Sequence, residues 1–305
     1  WNDFKNTLLQ TLYHLAGRRL ASGKDYEQAE QQRLAKLMQE AREQLPLKIS
    51  AEELEAHFEH LTPRYFRTHS LEHINIDLTQ VNRFLKRVVN GSGSRVLEPI
   101  IAWHNQPARG HTSVKICTWD RPGLFTTISG ALAAAGLNIL SARVFSRGDG
   151  IILDTFLVVD ARTGGLAKRR ERDTFKKQLT QALLPDESPE FQTQIDTLAK
   201  RGAPAEWEWP TRIRIDTEAA ESRTIIEVES ADRLGLLHRI SKVLTRHGLS
   251  IHVARISTEK GAAIDTFYVR TALGKKPTDE ALLRQTQSDL ETELSEQKRD
   301  TDFTD

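Results

Sequence analysis

Between Phe4 and Ala21 the apolar residues Leu8, Leu9, Leu12, Leu15, Ala16 and Leu20 recur at three- and four-residue steps, the period of an amphipathic helix that Ser22 and Gly23 then stop. The same period returns through Leu34, Leu37, Met38, Ala41 and Leu45, up to Pro46. A third helix is predicted from Ser50, a cap followed by Glu52 and Glu53, through Leu54, Phe58 and Leu61. A fourth follows His69 and carries Leu71, Ile74, Leu78, Val81, Leu85 and Val88, so residues 1–89 read as helical. Asn90-Gly91-Ser92-Gly93-Ser94 has the composition of a flexible linker. Beyond it, β-branched residues appear in short alternating runs. Val96–Trp103 and Ser113–Thr118 read as strands, with Gln106–Gly110 turning the chain between them.

An internal repeat organises the rest. A shift of 112 places Asp120-Arg121-Pro122-Gly123-Leu124 on Asp232-Arg233-Leu234-Gly235-Leu236, and 12 of the 24 positions from 120 to 143 are identical. Chance would supply about one or two. After one residue is lost in the turn Arg147–Gly150, where an indel costs least, Asp154-Thr155-Phe156 falls on Asp265-Thr266-Phe267.

Each copy reads strand, helix, strand, strand, helix. In the first, Val114–Thr118 precedes a helix with Leu124, Ile128, Leu132 and Ala135 on one face and Gly136 as its stop. Asn138–Ser146 and Ile151–Val159 follow, joined by the hairpin turn Arg147-Gly148-Asp149-Gly150, then a polar helix from about Arg170 to Leu184. The long connection 185–210 leads to a strand, Arg212–Thr217, expected to complete βαββαβ. The second copy runs from Thr224 to about Leu294 without a convincing final strand, and Val96–Trp103 is a candidate to substitute for it. The expected fold class is therefore α+β, a helical N-terminal segment followed by two ferredoxin-like βαββαβ modules. The expected divisions are a helical segment 1–89, a linker with an extra strand 90–112, a first module 113–219 and a second module 220–305.

Composition narrows the function classes. With 305 residues, 43 Lys and Arg against 42 Asp and Glu, and 38% apolar residues, this is the balance of an ordinary soluble globular protein of two or three domains. Charge implies no nucleic-acid partner, and no run of 18 apolar residues implies a membrane. The single cysteine, Cys117, excludes an intrachain disulfide framework and fits a reducing compartment, with the cytoplasm as the expected location. It is expected to pack in the core of its strand. The chain begins at Trp1 inside a helical pattern, so a longer parent polypeptide is expected.

The repeated corner between strand and helix is the candidate site. Asp120 reads as a helix cap, Pro122 suits a first turn, and Gly123 lets another group approach the backbone. Free main-chain N–H groups near Gly123, Leu124 and Phe125 would hold a carboxylate at the helix start. An ammonium would need an acceptor such as Asp120 or Asn138, so the corner can read an α-amino-acid zwitterion. The bland alternative is a capped turn that only connects elements, which for a single copy is the commoner case.

A βαββαβ unit with D-R-P-G-L after its first strand and Gly136-Leu137-Asn138-Ile139 before its second resembles the ACT domain, a small module that binds amino acids. Asp232–Leu236 with Gly248-Leu249-Ser250-Ile251 repeats the resemblance. Two such modules after a helical segment, together with Trp1-Asn2-Asp3-Phe4-Lys5, Tyr65–Ser70, Arg212–Asp216 and Asp265–Val269, resemble the C-terminal region of the bifunctional PII uridylyltransferase/uridylyl-removing enzyme family. That resemblance implies a cytoplasmic regulatory segment that senses glutamine for upstream catalytic domains. These domains add UMP to, and remove it from, the PII signal protein in nitrogen control. It implies magnesium or another divalent metal for them, although the nucleotidyltransferase and HD hydrolase motifs are missing from this chain, and no cofactor is expected in this segment.

The ligand-binding residues it implies are Asp120, Arg121, Pro122, Gly123, Leu124, Phe125, Asn138 and Ile139 in the first copy, ranked ahead of Asp232, Gly235, Leu236, Leu237 and Ser250 in the second. Leu234 and Ser250 depart from the usual Pro and Asn. The modules are expected to pair within the chain or across a dimer. The alternative is a free-standing tandem-ACT regulator acting through protein contacts.

Three other features invite function. His69-Ser70-Leu71-Glu72-His73 matches the H-x-x-E-H pattern of a zinc metallopeptidase helix, without a third ligand in view. His57 and His60 lie on a Glu-rich helix, expected to be a solvated face or an interdomain contact. Lys168-Arg169-Arg170-Glu171-Arg172 opens a polar helix, read as solvated because no aromatic stacking pattern accompanies it.

Overall fold

The computed structural model describes residues 23–91, 93–185, 187, 190–200, 209–259 and 261–296. The helix predicted over 4–21 lies outside these. The chain divides into two compact units at Asn82/Arg83.

In the first unit, α1 (Gly23–Glu43), α2 (Ala51–His60), α3 (Pro63–Thr68) and the start of α4 (Leu71–Asn90) surround Ala41, Ile49, Leu54 and Leu78. Ser50 caps α2 as its sequence suggests. Its hydroxyl accepts from Glu53 N at 3.3 Å, and its own N–H donates to the Glu53 carboxylate at 2.8 Å. The short α3, opened by Pro63, was not foreseen.

This helix removes the metallopeptidase reading, because His69 follows α3 while His73 rides on α4, so the pair do not share a helix face. His69 is buried, stacked on Tyr65, with Nδ1 2.9 Å from the Tyr65 carbonyl. His57 is not solvated either. It is fully buried, with Nε2 3.3 Å from the Tyr65 hydroxyl, which donates to Asp77 at 2.8 Å.

In the second unit, α4 ends at Asn90 and a 3-10 turn covers Gly93–Leu97, so the expected linker and the start of the expected strand are partly helical. Then follow β1 (Ile100–Gln106), β2 (His111–Trp119), α5 (Leu124–Ala134), β3 (Leu137–Arg143), β4 (Ile151–Asp160) and α6 (Arg169–Ala182). The connection 185–210 contains a helix of its own, α7 (Gln192–Ala199), tied down by buried Phe191 and Ile195. The second copy comprises β5 (Arg212–Asp216), β6 (Thr224–Ala231), α8 (Leu236–Arg246), β7 (Leu249–Arg255), the two-residue β8 (Thr258–Glu259), β9 (Ala262–Thr271) and α9 (Glu280–Glu296).

Both sheets are antiparallel, in the orders β1-β2-β4-β3 and β5-β6-β9-β7, with β8 beside β9. This corrects two strand assignments. Arg212–Asp216 pairs with β6, Ile213 opposite Val228, and so belongs to the second sheet rather than completing the first. The strand expected over Val96–Trp103 runs from Ile100 to Gln106 and pairs with β2, Ile100 opposite Cys117, instead of serving the second copy. In each copy the fourth strand precedes the unit, because a short connection to its neighbour closes an antiparallel hairpin that a distant C-terminal strand would have to displace. Cys117 is buried on β2. The repeat extends to irregularities: the β3/β4 register shifts between Ile139 and Ser141, and the β7/β9 register shifts between Ile251 and Val253, at equivalent positions.

The two copies meet within the chain through α5 and α8. Equivalent residues face each other as they would across a two-fold axis. Ser129 Oγ lies 3.3 Å from Ser241 Oγ, and His238 Nδ1 donates to the Thr126 carbonyl at 3.0 Å. Burial lowers the His238 pKa and holds it neutral, which suits a ring donating to a carbonyl. Gly130 lets these helices close: a Cβ there would overlap the Phe191 ring and lie 2.7 Å from His238 Nδ1.

Gly130→Ala should therefore destabilise the protein by roughly 1–3 kcal/mol through overpacking, although alanine favours a helix interior by about 1 kcal/mol. The midpoint of urea unfolding checks this, and an unchanged or raised midpoint contradicts the close packing.

A candidate amino-acid cleft between the two repeats

Each repeated corner is built by the same bonds. The N–H of Asp120 donates to the Gly150 carbonyl at 2.7 Å, and that of Asp232 to Gly261 at 2.9 Å. Gly123 and Gly235 are the residues that start α5 and α8, at φ of 73° and 85°, a backbone region that favours glycine. The aspartates are thus not the caps that the sequence suggested. They stand one turn earlier, with their carboxylates turned to the following loops: Ser146 Oγ donates to Asp120 at 2.9 Å, and Thr258 hydrogen-bonds Asp232. The amide of Leu124 is spent on the Arg121 carbonyl, and that of Leu236 on Arg233, so neither is offered to a ligand. Gly235 has a second constraint, since a Cβ there would sit 2.6 Å from Ile195 Cγ2.

The copies differ across the seam. Asn138, on β3, reaches the second copy's corner, where its Nδ2 donates to Asp232 Oδ2 at 3.0 Å. Around this bond lies a narrow cleft, with free space of about 10 Å³, roughly enough for one water, lined by Asn138 and Ile139 of the first copy and by Asp232, Gly235, Leu236 and Leu237 of the second. The predicted residues Asp120, Arg121, Pro122, Gly123, Leu124, Phe125 and Ser250 are not in this lining. Arg121 instead donates to the Leu183 carbonyl at 2.8 Å, at the end of α6, while Leu124 and Phe125 are core side chains. Ser250, the counterpart of Asn138, sits half-buried on β7 opposite Arg270.

Sequence reasoning did not place Asp265, Arg233, His238 and Thr258 in the cleft. Asp265 had left a signal: an acidic residue in an otherwise apolar strand, duplicated as Asp154. Both are buried and accept an equivalent main-chain donor, Phe145 N at 3.2 Å and Ser257 N at 3.4 Å. Burial pushes Asp154 well above the usual carboxylate range and Asp265 up to about 8, with Asp120 and Asp232 adding like charge. Asp232 is itself raised by burial, against the lowering effect of Asn138 and Thr258.

Among the described residues no group of three or more His, Cys, Asp or Glu is placed to hold a metal ion. Nor is any described helix long and apolar enough to cross a membrane.

Comparison with known proteins agrees with the duplicated architecture. Residues 112–174 match the sequence model of the ACT domain, and residues 219–297 that of the ACR family N-terminal ACT domain. The chain is 31% identical over 290 residues to the bifunctional uridylyltransferase/uridylyl-removing enzyme of Azospirillum brasilense, covering 93% of this chain and 30% of that one. It is 30% identical to the enzyme of the same name from Rhodospirillum rubrum (97% and 31% covered), and 26% identical to that from Vibrio campbellii (99% and 32%). The chain spans about 30% of the length of these relatives.

The buried acids set a pH dependence. Asp265 has a folded pKa above its unfolded value, so between about pH 4 and pH 8 the folded state binds the additional proton and stability falls as pH rises. Asp154 acts in the same direction. The unfolding midpoint should decline across that window, and Asp265→Asn should make the decline shallower, as chemical denaturation at a series of pH values would read. Equal slopes in the two proteins would contradict a protonated Asp265.

Proposed function

We propose, for a chain that carries two ACT domains and is homologous over most of its length to the C-terminal region of bifunctional uridylyltransferase/uridylyl-removing enzymes, that it is their glutamine-sensing regulatory segment. In this reading the parent enzyme is cytoplasmic, modifies the PII signal protein in nitrogen control, and reads glutamine through this segment for catalytic domains that lie upstream.

The observation that carries the proposal is the bond from Asn138 to Asp232 inside a cleft made by both copies. Asp232 is a buried carboxylate whose acceptor is now met by an amide N–H. The ammonium of an amino acid is a stronger, charged donor for the same oxygen. The start of α8 behind Gly235 supplies the positive end of a helix dipole for the ligand carboxylate.

Binding then has a structural consequence. To reach Asp232 the ligand must take the place of Asn138, so occupancy exchanges a bond between the copies for one to the ligand. A ligand of this kind favours the arrangement in which Asn138 has let go, which is the differential affinity that regulation requires. The apparatus of the first copy is the poorer candidate, since Ser250 is shorter than Asn138 and Asp120 does not line the cleft.

Titration calorimetry of glutamine into the protein tests the assignment. Asp232→Ala should weaken binding by at least about tenfold, the scale of a charged hydrogen bond, while circular dichroism reports an intact fold. Asp120→Ala should change affinity less. Unchanged affinity in folded Asp232→Ala overturns the assignment of the cleft.

A further inference from the structure

The cleft holds one acidic side chain that binding of the zwitterion does not use. Asp265 is 1% exposed and lines the same space as Asn138 and Asp232. Its Oδ1 accepts from Ser257 N at 3.4 Å, whereas its Oδ2 is buried with no hydrogen-bond partner among the described residues. A buried polar oxygen without a protein partner calls for a further group to satisfy it.

The charged and titratable groups that line the space with Asp265 are Asp232, Arg233 and His238, of which Asp232 adds like charge and His238 is kept neutral by burial. Burial and the Asp232 charge keep the Asp265 carboxyl protonated at neutral pH. With Oδ1 committed as an acceptor, the proton belongs on Oδ2, which makes this group a donor in the lining of the cleft.

We infer that Asp265 is the specificity-determining residue of the cleft, donating its carboxyl O–H to an uncharged oxygen, of a carboxamide or hydroxyl, at the side-chain end of the bound amino acid. The inference rests on the amino-acid reading of the cleft and adds to it the class of side chain selected. An apolar end leaves the donor unmet, and a carboxylate end brings a further anion beside Asp232 in a buried space. The contact is also proton-linked: once Asp265 ionises, two acceptors face each other and affinity falls.

The experiment compares three ligands of similar length, glutamine, glutamate and methionine, by calorimetry on the whole chain at pH 6.5 and pH 9. The wild type should bind glutamine at least about tenfold more tightly than methionine or glutamate at the lower pH, and lose most of that preference at the higher. Asp265→Leu should lose the preference at both pH values while still binding methionine. Asp265→Asn, which keeps a donor that does not titrate, should retain it and show no pH dependence. A glutamine preference that persists in folded Asp265→Leu, or wild-type selectivity that is flat from pH 6.5 to 9, overturns the inference and leaves the cleft assignment standing. Failure of every amino acid to bind the wild type overturns the cleft assignment, and this inference with it.

Discussion

The contact between α5 and α8 is the constraint on which the second unit depends. Because Ser129 and Ser241 occupy equivalent places in the two copies and lie 3.3 Å apart, the copies are related much as subunits of a two-fold dimer are, but within one chain. Such an arrangement needs self-complementary surfaces, and small residues let the helices approach. It also dictates that each corner faces the other copy rather than its own sheet. The corner of Asp232 meets Asn138 for this reason alone. At the position equivalent to Asn138 the second copy has Ser250, a side chain with one oxygen where Asn138 has an amide, so the two seams differ at this pair.

The same duplication explains why two acids persist inside the sheets. Asp154 and Asp265 each take a main-chain N–H from the loop that follows the preceding strand, Phe145 in one copy and Ser257 in the other. A carboxyl there ties the loop to the strand, and the cost of burial is met by protonation rather than by an ion pair. Beside each stands a second acid, Asp120 or Asp232, anchored by a hydroxyl from the same loop, Ser146 or Thr258. The loop, the corner and the strand in each copy are thus coupled through one acid pair, so a group that binds at Asp232 also bears on the proton of Asp265.

Much of this was legible in the amino-acid sequence because repetition exposes what each copy must conserve of its own geometry. The identity of Gly123 with Gly235, of Gly136 with Gly248, and of Asp154-Thr155-Phe156 with Asp265-Thr266-Phe267 marks the helix starts, the helix stops and the central strand. Strand order was less visible. Alternation reports that Arg212–Asp216 is a strand, but not which edge it joins, and that edge was decided by the short loop to Thr224. The role of Asp120 was misread for a related reason: an aspartate before a helix suggests a cap, whereas the chain had space for a left-handed Gly123 to take that place. Asn138 and Asp232 lie 94 residues apart, and no local pattern reports a bond set by how two helices pack. His69 and His73 show the opposite failure, a motif with the right letters and the wrong backbone, since His69 lies between two helices and only His73 is on one.

Under the proposed function, the Asn138 to Asp232 bond also limits how strong a switch this seam can be. A hydrogen bond to a charged group contributes about 1.5–3 kcal/mol. Moving a two-state equilibrium from 1:99 to 99:1 requires about 5.5 kcal/mol of differential binding. Exchange of this bond alone therefore shifts the arrangement of the copies by one to two orders of magnitude and cannot throw it fully. The remainder has to come from contacts that exist in only one arrangement. The α5/α8 seam is suited to supply them, because Thr126 Oγ1 lies 2.9 Å from Thr245 Oγ1 and His238 is bonded to the Thr126 carbonyl, all on the helices that the cleft residues start or abut. A ligand at Asp232 would sit at the N-terminal end of α8, the helix that carries both of these seam contacts, so the bond it exchanges adjoins the seam between the copies.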